Sequence, residues 1–214
     1  MSVLKTIRKD YLKGELLESE ISKDPVSQFQ NWLDLAFKSG NDHANAMTLS
    51  TCDKINMPDS RIVLLRDISF GGFTFFTNYG SKKGKDIDVN SNASLLFFWP
   101  ELERQIRIQG NVKFLPTKES DAYFESRPFE SKVGALISSQ SSVVSSRKEM
   151  EILFQKEFRK RENTNIQRPD NWGGYVLVPS SFEFWQGRAN RLHDRIRYTL
   201  NGSDKSWLIE RLMP

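Results

Sequence analysis

The stretch FWQGRANRLHDR, Phe184 to Arg195, sets three arginines and one of the chain's two histidines directly behind a Phe-x-Trp pair. Within it Arg191, His193 and Arg195 alternate, so a strand would project all three from one face beside Trp185, with Leu192 and Asp194 on the other. Such a row offers donors to an anion. A histidine between two arginines is pushed toward its neutral form, able to donate from one ring nitrogen and accept on the other. The same pattern also suits an edge strand with ion-paired charges.

Other segments carry comparable groups. In RIVLLRD, Arg61 and Arg66 are five apart, which in a regular strand puts them on opposite faces, serving two anions or standing as solvated strand ends. In TNYGSKKGKDI, Ser81, Lys82 and Lys83 follow a turn glycine and open a short helix whose first amides would add to the lysines as phosphate donors. A solvated lysine face is the plainer alternative. Strict alternation in ERQIRIQG turns Ile106 and Ile108 one way and Gln105, Arg107 and Gln109 the other, giving one hydrogen-bonding face. Tyr123 and Arg127 stand four apart on a helix, and Ser131 follows the proline that ends it, a set resembling a phosphate grip. The later SSQSS reads as a polar loop or a second donor-rich site.

The elements that must position these groups are mixed. Asp24 as N-cap, Pro25 in the first turn, Val26, Phe29, Leu33 and Phe37 at helical spacing and Gly40 at the end predict one helix. From Ala46 the chain turns to short β-type runs, AMTLSTC, RIVLLRD, GFTFFTN, ASLLFFW and RQIRIQGNVKFL, broken by Asn, Asp, Gly and Ser. Two helical patterns follow, TKESDAYFESR and SSRKEMEILFQKEFRKRE, and then further β-type runs, GGYVLVP, FEFWQ, RIRYTL and SWLIERL. The expected fold is α+β, a mostly antiparallel β-barrel with peripheral helices.

Composition narrows the function. The 214 residues are 38% hydrophobic and 27% charged, with formal charge +4, a globular and mildly basic chain that favours an anionic ligand. The single Cys52 excludes an internal disulfide framework and a cysteine-based zinc site, and reads as a small buried thiol; no metal site is expected. None of the 12 glycines forms a Rossmann or P-loop signature, so any phosphate must be gripped largely by side chains. No run approaches the roughly 20 apolar residues of a membrane span. The start, with Asp10, Glu15, Glu18 and Glu20, lacks the marks of a secretory or transit leader, so a cytoplasmic location is expected.

Taken in order, IRKDYLKGEL, RIVLLRD, FFTNYGSKKGKDI, ERQIRIQG, YFESRP, VGALISSQSS, FWQGRANRLHDR and WLIERLMP resemble the pyridoxamine/pyridoxine 5′-phosphate oxidase family over almost the whole chain. The resemblance implies an FMN-binding split β-barrel in a homodimer, with FMN at the subunit interface. It implies residues 21–214 as one FMN-binding domain and residues 1–20 as a flexible N-terminal segment in which Arg8 and Tyr11 close over the site. By carry-over, FMN would meet Arg61, Ile62, Val63, Leu64, Arg66, Phe76, Thr77, Lys82, Lys83, Gln105, Gln140, Ser141, Trp185 and Arg195. The substrate would meet Arg66, Tyr123, Arg127 and Ser131 through its phosphate, and Arg191 and His193, the implied catalytic pair, at its ring. The implied reaction turns pyridoxine 5′-phosphate and pyridoxamine 5′-phosphate into pyridoxal 5′-phosphate, with molecular oxygen as acceptor and hydrogen peroxide as product.

The chain departs from the family pattern at several positions. Arg66 stands where lysine is usual, Lys82 where arginine is usual, Leu136 where an aromatic is common, and the ending is RLMP rather than RLAP. A planar fork for a point charge at Arg66 changes how a phosphate is held. Two other classes compete: a different flavin or deazaflavin protein on the same barrel, and a non-catalytic binder of a vitamin phosphate or nucleic acid. Cations interleaved with acids, grouped in small pockets rather than a stripe, argue against nucleic acid.

Overall fold

Period-two alternation and helical spacing resolve into an α+β fold. The computed structural model describes residues 10–162, 164–202 and 204–214; Arg8 lies outside them. Five α-helices occur among the described residues: α1 Pro25–Lys38, α2 Lys82–Val89, α3 Thr117–Glu125, α4 Phe129–Ile137 and α5 Arg147–Arg161. The strands are β1 Ala46–Cys52, β2 Pro58–Leu64, β3 Asp67–Ser69, β4 Gly72–Asn78, β5 Asn92–Trp99, β6 Arg104–Phe114, β7 Trp172–Gln186, β8 Asp194–Leu200 and β9 Trp207–Arg211. Hydrogen bonding orders them β2-β1-β5-β6-β7-β4-β3, with β8 on β7 and β9 on β8.

The chain divides into two compact units. One holds the described residues up to Leu49 together with Ser94–Gly110 and Pro179–Pro214; the other holds Ser50–Ala93 and Asn111–Val178.

In the first unit, Asp24 caps α1 by accepting the Ser27 N–H at 2.8 Å, and Pro25 opens the helix as expected. Of the expected row Val26, Phe29, Leu33 and Phe37 only Phe29 is fully buried: the buried face is Pro25, Gln28, Phe29, Trp32 and Ala36, with Val26 and Leu33 half-buried and Phe37 exposed. Large aromatic contacts decide the rotation of the helix. Trp32 packs edge-on against Phe184 at 5.3 Å and lies 4.3 Å beneath the Arg104 guanidinium, and Phe29 meets Phe97 at 4.9 Å. The antiparallel register Trp185↔Arg195 and Gln186↔Asp194 joins β7 to β8.

In the second unit β4 pairs antiparallel with β7, Phe76 facing Gly174 and Thr77 facing Gly173. Helices α3 and α4 enclose a cluster of Phe124, Val133, Ala135, Ile166 and Trp172. Helix α4 is an addition to the sequence reading, which assigned no element between Pro128 and the SSQSS stretch. At nine residues it is too short to display a hydrophobic period, and Pro128 ends one helix while standing at the N-cap of the next.

Candidate active site

The second unit contains a cavity of about 660 Å³. Twelve of the expected site residues line it: Arg61, Ile62, Val63, Leu64, Arg66, Phe76, Thr77, Lys83, Tyr123, Arg127, Ser131 and Gln140. They come from the second half of β2 and the turn after it, the end of β4, the start of α2, helices α3 and α4 with the turn between them, and the loop after α4. Its four cationic side chains meet no carboxylate among the lining residues.

The arginines of RIVLLRD converge rather than diverge. Strand β2 stops at Leu64, so the alternation that would have put Arg61 and Arg66 on opposite faces is broken before Arg66, and both border the same cavity. Arg61 is held by Thr51 Oγ1 and Asp59 Oδ2, each at 2.7 Å.

Lys83 is buried in the first turn of α2. Its Nζ donates to Gln140 Oε1 at 2.9 Å, Ser81 Oγ at 3.2 Å and Thr77 Oγ1 at 3.3 Å, so a loop residue 57 positions away joins the β4–α2 corner. Burial first, and then the Arg61 charge, push the Lys83 pKa down; an anion in the cavity would oppose both by favouring the ammonium form. The lysine beside it behaves differently. Lys82 turns its Nζ to Asp86 and Asp59, at 3.2 and 3.5 Å, and does not line the cavity. The expected amide donors are also partly engaged, since Lys82 N–H donates to Ser141 Oγ and Gly84 N–H to Ser81 Oγ.

A second donor group surrounds Tyr123. Its ring stacks on Phe76 at 3.8 Å, and the Arg66 guanidinium stands 5.7 Å from its centroid. Helix α3 ends at Glu125, so Arg127 belongs to the turn beyond it rather than to a shared helical face; its N–H to the Phe124 carbonyl, at 3.2 Å, keeps it beside Tyr123. The Arg127 guanidinium lies over the Trp172 ring, and its Nη1 is buried without a hydrogen-bond partner. Burial lowers its pKa, with Tyr123 opposing and Arg66 adding to the shift. Trp172 is a cavity residue the sequence reading missed. It precedes the GGYVLVP run, where nothing but its position beside a strand could have singled it out.

Gln105, Trp185, Arg191, His193, Arg195 and Tyr11 belong to the first unit. Gln105 sits on the half-exposed face of β6 between the buried Glu103 and Ile106, as alternation predicts. The RLHDR row is not a strand: Ala189–Arg191 form a 3₁₀ turn with Asn190 and Arg191 at φ 57° and 61°, and β8 begins only at Asp194. Arg191 is therefore exposed in a left-handed turn, and Arg195 alone of the three lies in the ladder, held by Glu183 at 2.9 Å and by the Met213 carbonyl. His193 instead joins an aromatic group, 4.8 Å from Trp185 and 5.6 Å from Tyr11. Its Nδ1 accepts the Arg188 N–H at 3.1 Å, which leaves the proton of the neutral ring on Nε2. Burial first, and then Arg191, hold its pKa below 6.5 against the pull of Asp194, the neutral tendency expected from sequence.

The antiparallel sheet with its peripheral helices and a cationic cavity with no carboxylate in its lining define an α+β protein whose cavity suits a phosphorylated ligand. Residues 33–160 match the family described as Pyridoxamine 5'-phosphate oxidase, and residues 172–214 match the Pyridoxine 5'-phosphate oxidase C-terminal dimerisation region. The chain belongs to the pyridoxamine 5′-phosphate oxidase family, with its FMN-binding split-barrel fold and FMN as cofactor. Among its relatives, the pyridoxine/pyridoxamine 5'-phosphate oxidase of Cupriavidus necator is 48% identical with both chains fully covered. That of Cytophaga hutchinsonii is 49% identical over 99% of this chain and 98% of the other. Among solved structures, PhzG from Burkholderia lata, in complex with tetrahydrophenazine-1-carboxylic acid, superposes with TM-score 0.86 at 26% identity, covering 93% of this chain and 98% of that one. An FMN-binding protein of Nostoc punctiforme shares the fold, with TM-score 0.70 at 16% identity over 87% of this chain and 97% of that one.

Proposed function

We propose that this chain oxidises pyridoxine 5′-phosphate and pyridoxamine 5′-phosphate to pyridoxal 5′-phosphate in the cytoplasm, as a homodimer with FMN at the subunit interface. The observation that carries the reading is a cavity lined by four cations and no carboxylate, one of them Arg127, whose buried Nη1 has no hydrogen-bond partner. A buried donor without a partner is costly, and a phosphate oxygen satisfies it.

The donors fall into two groups, as two phosphates require. Lys83, Arg61 and Gln140, with Thr77, would hold the FMN phosphate, supported by the loop at Ser141 and by the backbone of Ile62, Val63 and Leu64. Lys82 would act through its charge and through the Asp59–Asp86 network that also fixes Arg61. Arg66, Tyr123, Arg127 and Ser131 would hold the substrate phosphate. Gln105, Trp185 and Arg195 would complete the flavin site, while Arg8 and Tyr11 would cover the substrate.

FMN, when bound, would supply the hydride acceptor, with molecular oxygen as the final oxidant. The protein's part is orientation and proton handling, since no protein nucleophile is needed. His193, neutral with its proton on Nε2, and Arg191 would take those roles at the substrate's 4′ substituent. The alcohol and O₂ give aldehyde and H₂O₂; the amine, O₂ and water give aldehyde, ammonia and H₂O₂.

The test is an assay of the purified, FMN-loaded chain with each substrate in air, following aldehyde and peroxide together. Equal amounts of the two products are expected. Bound flavin without turnover on either substrate would overturn the reading in favour of another flavoprotein on the same barrel.

A further inference from the structure

The carboxylate of Glu103 is buried, 2% exposed, in the turn between β5 and β6, on a residue with φ 54° in the left-handed region. Its Oε2 accepts two successive backbone amides, Leu12 N–H at 2.7 Å and Lys13 N–H at 3.0 Å. Both follow directly on Tyr11. A charged acceptor shared by two neighbouring amides is a strong and directional grip. No packing competes with it at these positions: the Leu12 side chain is 77% exposed, and the next buried apolar anchor, Leu16, comes four residues after Leu12.

The same residue also fixes the seat of the Tyr11 ring. The Glu103 carbonyl accepts Gly187 N–H at 2.8 Å and Gln186 Nε2 at 3.3 Å. The ring lies directly on Gly187, where a Cβ would fall 2.6 Å from Tyr11 Cγ. From there it stands edge-on to Trp185 and to His193, each at 5.6 Å. Segment and seat are thus referenced to one buried residue, the segment through its carboxylate and the seat through its main-chain carbonyl.

We propose that Glu103 is a positioning residue for the reaction: it pins the segment after Tyr11 so that the tyrosine ring is held against Trp185 and His193. The inference rests on the reading in which Tyr11 covers the substrate. It predicts that Glu103 acts on substrate binding through Tyr11 and leaves the flavin site alone.

The experiment uses the full FMN-loaded chain with Glu103→Ala, Glu103→Gln, Tyr11→Ala and the Glu103→Ala/Tyr11→Ala double variant. Hydrogen exchange, read by mass spectrometry on peptides spanning residues 11–14, is expected to quicken about tenfold or more in Glu103→Ala. Glu103→Gln, which keeps one uncharged acceptor, should lie between it and the parent, and it remains informative should the alanine variant fold poorly. KM for pyridoxine 5′-phosphate should rise about tenfold in Glu103→Ala with kcat changed less than threefold, and the double variant should lose no more than Tyr11→Ala alone. Unchanged exchange at residues 11–14 in both Glu103 variants overturns the proposal, as do losses that multiply in the double variant. A parent chain without turnover refutes the functional reading instead, and the exchange result then decides the anchor by itself.

Discussion

The Arg127 guanidinium lies 4.6 Å over the Trp172 ring in the wall of the cavity, and its Nη1 is buried without a hydrogen-bond partner. A cation on an aromatic face is held in place without consuming its hydrogen bonds. The site is therefore built before any ligand arrives.

Arg127→Met keeps the apolar stem over Trp172 and removes the donors. KM for the phosphorylated substrates should rise about 10- to 100-fold, the equivalent of about 1.5–3 kcal/mol for hydrogen bonds to a charged group. FMN content should not change. Thermal stability should hold, because Nη1 makes no bond that could be lost; steady-state kinetics alongside a melting curve checks both.

Lys83→Met should show the opposite division, with FMN affinity falling about 10- to 100-fold and kcat at saturating FMN changed far less. The FMN-free protein should change little in melting temperature, since relief of a disfavoured buried ammonium offsets the donor lost to Gln140, Ser81 and Thr77. Fluorescence titration with FMN measures the first, and calorimetry of the apoprotein the second.

The lowered pKa of His193 fixes the sign of a pH effect. Neutral imidazole persists to a lower pH in the folded chain than in the unfolded one, which binds more protons near 6.5, so its contribution to stability is complete above 6.5 and lost as pH falls through that value toward the folded pKa. Protonation at Nδ1 also removes the acceptor for Arg188 N–H. The acid limb of kcat/KM should have its midpoint below 6.5, and His193→Asn should lack that limb in a pH–rate series.

Gly84 lies where a Cβ would stand 2.1 Å from the Tyr79 carbonyl oxygen, a backbone atom that cannot step aside. Gly84→Ala should cost about 1–3 kcal/mol of stability. It should also displace the first turn of α2 and with it Lys83, so a lower melting temperature should accompany weaker FMN binding.

Much of the site was legible in the sequence because it rests on residue type and local period. The β6 alternation that buries Ile106 and Ile108 while turning Gln105 outward needs only the pleat of a strand. The Asp24–Pro25 start of α1 follows from which groups can satisfy a helix's first amides. The cation-rich segments carried the family resemblance in the same way, through the order and spacing of side chains that suit phosphate.

Tertiary structure decided what depends on where local order stops. Strand β2 ends at Leu64 and brings Arg61 and Arg66 to one cavity, a reversal that no period could announce. A left-handed turn at Asn190–Arg191 took the RLHDR row out of the sheet, because the β7–β8 ladder closes only at Gln186↔Asp194 and the residues before it form the connection. Trp172 beneath Arg127, Gln140 on Lys83 and Glu103 on the amides of Leu12 and Lys13 are contacts across 45, 57 and about 90 positions. Side-chain chemistry is written along the chain, but which side chains meet is set by packing and long-range pairing.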